Sequence, residues 1–275
     1  MKKGINAWCF PNDMDIEDIF AMAKKEGFEG LEVNLSSDDG SYLTLENTKN
    51  DCDKLKALSE KYALPVSSIS TGLFWRFSLT DNDSAIVEKA KSVARTMIDI
   101  ATCLGTDTIL LVPGKVTAEV SYKVAYERAV GALEELKDYA SAKKVVIGIE
   151  NVWNDFLLSP IEMRRLIDEL GCEYIQSYFD AGNVLVSGYP HHWVEALAGC
   201  ISKVHIKDYI RSIGNINGFV NLLHGDLDWK TFMCSLRKSG YDGYVIAELS
   251  PYKTNPTALI HDTSKAMDYI LNLGK

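Results

Sequence analysis

The stretch Val145-Val-Ile-Gly-Ile-Glu-Asn-Val-Trp-Asn154 is an apolar run that stops abruptly at a carboxylate and two amides. A continuous apolar run of this length reads as a strand buried on both faces, and charge placed where such a strand stops points to function rather than packing. The same pattern recurs three times downstream. Ile175-Gln-Ser-Tyr-Phe-Asp180 ends in Asp180, Ile201-Ser-Lys-Val-His205 in His205, and Tyr244-Val-Ile-Ala-Glu248 in Glu248. Four strand ends therefore carry four potential metal ligands.

Outward from these strands the chain alternates. Short strands are expected at Lys3–Trp8, Gly30–Leu35, Val66–Ser70 and Thr108–Val112 in the first half. Helices are expected at Asp15–Lys25, Leu45–Tyr62, Asp81–Leu104 and Ser121–Ala142, from apolar spacing with glycine or proline at their ends. The second half continues with helices at Pro160–Leu170, capped by Ser159, at Pro190–Leu197, at Trp229–Lys238, capped by Asp228, and at Thr257–Leu273. Eight strands alternating with eight helices, without a linker or a composition shift, predict one α/β domain over residues 1–275, a single (β/α)8 TIM barrel. A doubly wound open sheet is the structural alternative, but it places its ligand at one switch point rather than at many strand ends.

Composition narrows the function classes. The 275 residues are 47% hydrophobic and 24% charged, as in ordinary globular proteins. A net charge of -9 disfavours a nucleic-acid partner. No run approaches the ~18 apolar residues of a membrane span, and the N-terminus lacks a signal-peptide core. The six cysteines are scattered without a Cys-x-x-Cys pair, which reads as reduced thiols of a cytoplasmic protein.

In a (β/α)8 barrel, groups at the carboxyl ends of the strands share one face of the molecule. Adjacent strands lie about 5 Å apart, so Glu150, Asp180, His205 and Glu248 can converge near the barrel axis. Three carboxylates and one imidazole form an oxygen-rich ligand set that suits one divalent ion, Mn2+, Mg2+, Co2+ or Zn2+. The cation also removes the repulsion that would otherwise drive one carboxyl pKa up. Strand alternation puts Lys207 on the same face as His205, facing either a substrate phosphate or hydroxyl, or a carboxylate such as Glu32. Trp8 and Phe10 after the first strand, and Phe74, Trp75 and Phe77 after the third, could wall a sugar pocket, as could Trp153 and Asn154. His224 lies on the loop after the seventh strand, where it is a candidate lid or substrate group.

Glu150-Asn151, Phe179-Asp-Ala-Gly-Asn183, Val204-His-Ile-Lys-Asp208, Gly225-Asp-Leu-Asp-Trp229 and Ala247-Glu248 together resemble the sugar phosphate isomerase/epimerase superfamily. This xylose-isomerase-like barrel group includes ketose 3-epimerases and L-ribulose-5-phosphate 3-epimerases, with endonuclease IV a distant relative. The resemblance spans the whole barrel. It implies one divalent metal, most often Mn2+ and otherwise Co2+, on the four residues, with Glu150 and Glu248 also acting as the acid/base pair, and a small sugar or sugar phosphate as substrate.

The expected chemistry is 3-epimerisation of a ketose. The metal polarises the carbonyl, one glutamate removes the adjacent proton to give a metal-held enediolate, and the other returns a proton from the opposite face. A lyase or dehydratase acting on a keto-sugar, inositol derivative or oxidised glycoside needs the same groups and stands as the alternative. The resemblance further implies that Arg211 lies near substrate hydroxyls and that a homo-oligomer can form. The chain departs from the free-sugar epimerases at Asn183, where they carry histidine, and at Phe156, where they carry a sugar-contacting glutamate. No nucleotide-type phosphate loop is present; the glycine- and asparagine-rich Ser212–Gly218 segment is the nearest candidate for a phosphate site or a lid.

Overall fold

The computed structural model describes residues 1–38 and 40–275. Eight strands run parallel: β1 (Lys2–Asn6), β2 (Gly30–Leu35), β3 (Val66–Thr71), β4 (Thr108–Leu111), β5 (Val146–Glu150), β6 (Ile175–Asp180), β7 (Ile201–Ile206) and, last, β10 (Tyr244–Ala247). They close into a barrel in chain order, β10 pairing with β1. Between β7 and β10 an antiparallel ribbon forms from β8 (Asp208–Tyr209) and β9 (Phe219–Val220). The alternation in the sequence is thus a (β/α)8 barrel, and the open-sheet alternative is excluded by closure.

The helices follow their sequence signals closely. They are α1 (Ile16–Lys25), α2 (Thr48–Tyr62), the single turn α3 (Leu73–Arg76), α4 (Ser84–Leu104), α5 (Tyr122–Lys143) and α6 (Pro160–Leu170). Then come a second single turn α7 (Ala181–Val184), α8 (Pro190–Ala196), α9 (Trp229–Lys238) and α10 (Ala258–Ile270). Ser159 and Asp228 cap α6 and α9 as expected, accepting from the amides of Glu162 and Thr231. The helix expected from Asp81 begins three residues later, because Asp83 takes the cap by accepting from Ala85 N. The first strand, expected to reach Trp8, stops at Asn6. The Asn6 side chain accepts from Trp8 N and turns the chain into a 3-10 turn at Ala7–Cys9. The turns α3 and α7 are too short to show a helical period in sequence.

Strand alternation sorts the barrel residues into two environments. Ile147, Ile149, Phe179, Val204, Ile206 and Val245 are buried and belong to the apolar core shared with the helices. The opposite parity meets inside the barrel, where the fully buried Asn6, Glu32, Ser68, Ser70, Tyr178 and His205 hydrogen-bond across strands. Such an interior differs from the aliphatic layers usual in this fold. Glycine makes room for its large members. A Cβ on Gly148 would lie 3.0 Å from Tyr178 Cβ, and one on Gly30 would lie 2.5 Å from Tyr244 Cε1. Among the described residues, no helix is long and apolar enough to cross a membrane.

Asp208 anchors the loop that carries the ribbon. Its Oδ1 accepts from Tyr209 N at 2.9 Å and Leu227 N at 3.1 Å, and its Oδ2 accepts from Trp229 Nε1 at 3.0 Å. Gly225 is required beside it, since a Cβ there would sit 2.5 Å from Tyr209 N. Asp208 is fully buried, so its removal strands three donors away from water. Asp208→Ala is expected to destabilise the fold by roughly 2–4 kcal/mol, read as a lower urea midpoint at an unchanged slope.

Candidate metal centre and active-site cleft

Glu150 closes β5, Asp180 closes β6, His205 sits one residue before the end of β7, and Glu248 follows β10 directly. Register pairs Asp180 with His205 and His205 with Ile246, which brings consecutive strand ends to one level. One ligand atom from each of Glu150, Asp180, His205 and Glu248 lies within 4.8 Å of the others. Three of the four residues are buried and Glu248 is partly so.

Backbone and amide contacts hold these groups rigidly. Asn151 brackets Asp180, donating to its carbonyl at 2.8 Å and accepting from its amide at 2.9 Å. Asp180 Oδ1 accepts from Asn183 N at 2.8 Å, so Asp180 both ends β6 and caps α7. Asn183 in turn donates to the Asn151 carbonyl at 3.0 Å and accepts from Trp153 Nε1 at 2.9 Å. Beside Glu248, Cys9 Sγ donates to the Ala247 carbonyl at 3.4 Å and accepts from Leu249 N at 3.2 Å. Burial pushes that thiol up to about 12, so Cys9 serves as a strut rather than a nucleophile.

His205 is oriented from below by a residue that the strand-end pattern does not reveal. Its Nε2 lies 2.6 Å from Glu32 Oε2, both side chains being fully buried. Glu32 also accepts from Ser68 at 2.8 Å, from Tyr178 at 2.5 Å and from Asn6. With Nε2 committed to this carboxylate, Nδ1 faces Glu150 at 3.3 Å and Glu248 at 3.7 Å. A carboxylate behind a ligating histidine fixes the ring and raises its basicity. The sequence signal for Glu32 is a lone charge in the middle of a short buried strand, at the parity of the polar Asn34.

The charges are strongly coupled. Burial raises Glu150, and the neighbouring Glu248 and Asp180 carboxylates push the same way against the His205 hydrogen bond. Burial opposes ionisation at Glu248 as well, but Lys207 and His205 outweigh it and hold that carboxyl below its usual range. Burial favours a neutral His205, yet Glu32 and Glu248 raise it well above the ordinary imidazole value. Lys207 Nζ lies 2.8 Å from Asp180 Oδ2 and also contacts Glu248. The pairing of Lys207 with Glu32, open on sequence grounds, does not form. Glu32 sits deeper, in mid-strand, whereas Lys207 lies beyond the end of β7. Gly182 is needed where the lysine passes, because a Cβ there would lie 2.7 Å from the Lys207 carbonyl.

The donor set fits a divalent cation. Asp180 Oδ2 is buried and accepts no hydrogen bond, its ion-pair partner being the Lys207 ammonium. Three carboxylates and an imidazole nitrogen aimed at one point match the oxygen-rich preference of Mn2+, Mg2+, Co2+ and Zn2+.

The cluster opens into a cleft of about 1210 Å3. Glu150, Glu248, Lys207, Asn183, Trp8 and Trp75 all line it. Arg211 and His224 do not. Arg211 donates to the Gly188 carbonyl at 2.9 Å, lies over the Tyr189 ring and borders a separate hollow beside Asp226. His224 borders another hollow, with Tyr252 and Asp262. Phe156 is buried edge-on against Tyr122 and Tyr126, away from the cleft wall.

Comparison with known proteins agrees with this architecture. The family model described as xylose isomerase-like TIM barrel matches residues 20–270. An Escherichia coli (strain K12) protein named "Putative L-ribulose-5-phosphate 3-epimerase SgbU" is 23% identical over 261 residues, covering 93% of this chain and 91% of its own. An L-ribulose 3-epimerase structure superposes with a TM-score of 0.82 at 18% identity, over 98% of this chain and 94% of that one. The 3-keto-D-glucoside 4-epimerase YcjR from E. coli gives 0.78 at 19% identity, over 98% of each chain.

If Glu32 sets the ring of His205, Glu32→Gln removes its charge while keeping its shape. Isothermal titration with Mn2+ is expected to show affinity lowered about 10–100-fold, with circular dichroism unchanged. An unchanged affinity would show that the ring is held by packing alone.

Proposed function

The chain belongs to the xylose isomerase-like TIM barrel family, and on that footing we propose that it is a divalent-metal-dependent carbohydrate epimerase, inverting a carbon next to a ketone. One observation carries the reading. Glu150 and Glu248 come from non-neighbouring strands, both line the cleft, and both face the same nitrogen of His205. That arrangement would let the two carboxyl groups reach one substrate carbon from two strands. The names of the E. coli relative and of the two structural neighbours agree with epimerase chemistry.

Glu150, Asp180, His205 and Glu248 would hold the ion, which when bound supplies Lewis-acid polarisation of a substrate carbonyl. The chain's own groups do the proton work. Glu150 and Glu248 flank the carbon α to the ketone; one takes its proton and the other returns a proton to the opposite face. Lys207, on the cleft wall beside Asp180 and Glu248, would steady negative charge on a substrate oxygen. Asn183 lies on the wall that a sugar would meet.

Protein supplemented with Mn2+ is expected to convert a ketone sugar to an isomer that is equal in mass in ordinary water and carries deuterium at one carbon when the solvent is deuterated, and chelation should stop the reaction. Glu150→Gln and Glu248→Gln should each lower kcat by about 10²–10⁴-fold. Variants that bind metal and turn over at the parental rate would exclude the two-glutamate assignment. A product lighter by one water would indicate a lyase working on the same site.

A further inference from the structure

The cleft offers more room and more aromatic surface than one small sugar would cover. Its roughly 1210 Å3 exceeds the range of about 300–1,000 Å3 typical of pockets for drug-sized ligands. A single monosaccharide held at Glu150 and Glu248 would leave most of it filled with water. The unfilled part has a definite place. Trp8 follows β1 and Trp75 lies in α3 after β3, strands directly across the closed barrel from β5 and β7, which carry Glu150 and His205. These two indoles are 41% and 48% exposed, and neither ring nitrogen has a hydrogen-bond partner among the described residues.

Neutral groups dominate the remaining wall. Asn12, Asn217, Asn221 and Ser250 offer amides and a hydroxyl. A phosphate would call for uncommitted cations, and the cleft has few. No arginine lines it, Lys207 is tied to Asp180 and Glu248, and Lys253 at the rim is the remaining lysine. Exposed indole faces in a cleft that also carries neutral amides suit an uncharged ring, the indole covering its apolar face while the amides bond its hydroxyls.

We propose that the substrate is a glycoside whose ketone-bearing ring sits over Glu150 and Glu248, while a second, uncharged ring attached to it lies against Trp8 and Trp75. This rests on the epimerase reading and adds the substrate's class to it. The second ring takes no part in proton transfer; it contributes binding on the side of the mouth opposite His205.

The test uses Mn2+-loaded full-length protein in deuterated water, with NMR following α-proton exchange on a ketohexose, a ketohexose phosphate and a phenyl keto-pyranoside. The keto-pyranoside is expected to lead the other two by at least about tenfold in kcat/KM. Combined Trp8→Ala and Trp75→Ala changes should erase about tenfold of that lead, through KM, while metal stoichiometry and thermal midpoint show the fold intact. Trp75→Tyr should restore part of it. Preference for the phosphate, or equal losses on all three substrates, would overturn the proposal. If no compound exchanges a proton, the epimerase reading fails on its own, and saturation-transfer NMR with phenyl glucoside then decides the subsite. Contact that disappears in the double variant sustains it, and no contact in the parent overturns it.

Discussion

The hydrogen bond between Glu32 and His205 organises the end of the barrel where the four candidate ligands meet. It runs across the inside of a closed barrel, from the second strand to the seventh, between two side chains without solvent contact. A buried carboxylate is tolerable only when paired and fully bonded, and Glu32 is both. Its partners Asn6, Ser68 and Tyr178 come from three further strands, so one ionised group draws five strands into a single arrangement. The direction of His205 Nδ1, and with it the point on which the ligands converge, depends on that arrangement.

Charge balance is the second constraint. Glu32, Glu150, Asp180 and Glu248 crowd around one imidazole and one ammonium, leaving a surplus of negative charge in a buried place. Lys207 offsets part of it, at a position that requires glycine at residue 182. A divalent cation would offset the rest and would suit the buried Asp180 oxygen that accepts no hydrogen bond. The polar barrel interior and the metal-ligand set therefore have one cause: the fold has moved its apolar packing to the shell between strands and helices, and keeps the axis for ionised groups.

Above the cluster, the loops divide the work. Those after β5, β6 and β7 are tied down by Asn151, Asn183, Trp153 and Asp208, each making bonds that a looser loop would lack. Stacking of Trp153, Tyr209 and Phe219 stiffens the ribbon side further. Across the mouth, Trp8 and Trp75 stand exposed on short helical turns. Rigid chemistry on one side and open aromatic surface on the other is the division expected when the reacting group is held precisely and the rest of a ligand is held by area.

The sequence by itself determined the eight-fold alternation, most helix ends and the four residues at the strand termini, because these are local properties. A cap, a glycine stop or an apolar run that ends in a carboxylate involves only neighbours along the chain. Asn183 and the cleft tryptophans Trp8, Trp75 and Trp153 were legible for the same reason, as residues just beyond strand ends. Tertiary structure decided everything that depends on which strand faces which. Glu32 was visible only as one charge in a short strand; its bond to His205 needs the depth of β2 relative to β7. Lys207 met Asp180 and Glu248 instead of Glu32 because strand-end height, not parity, selects its partner. Arg211 and His224 follow the same strand as His205, yet their loop carries them to hollows outside the cleft. Periodicity states which way a side chain points from its own strand. Only closure of the barrel states what it points at.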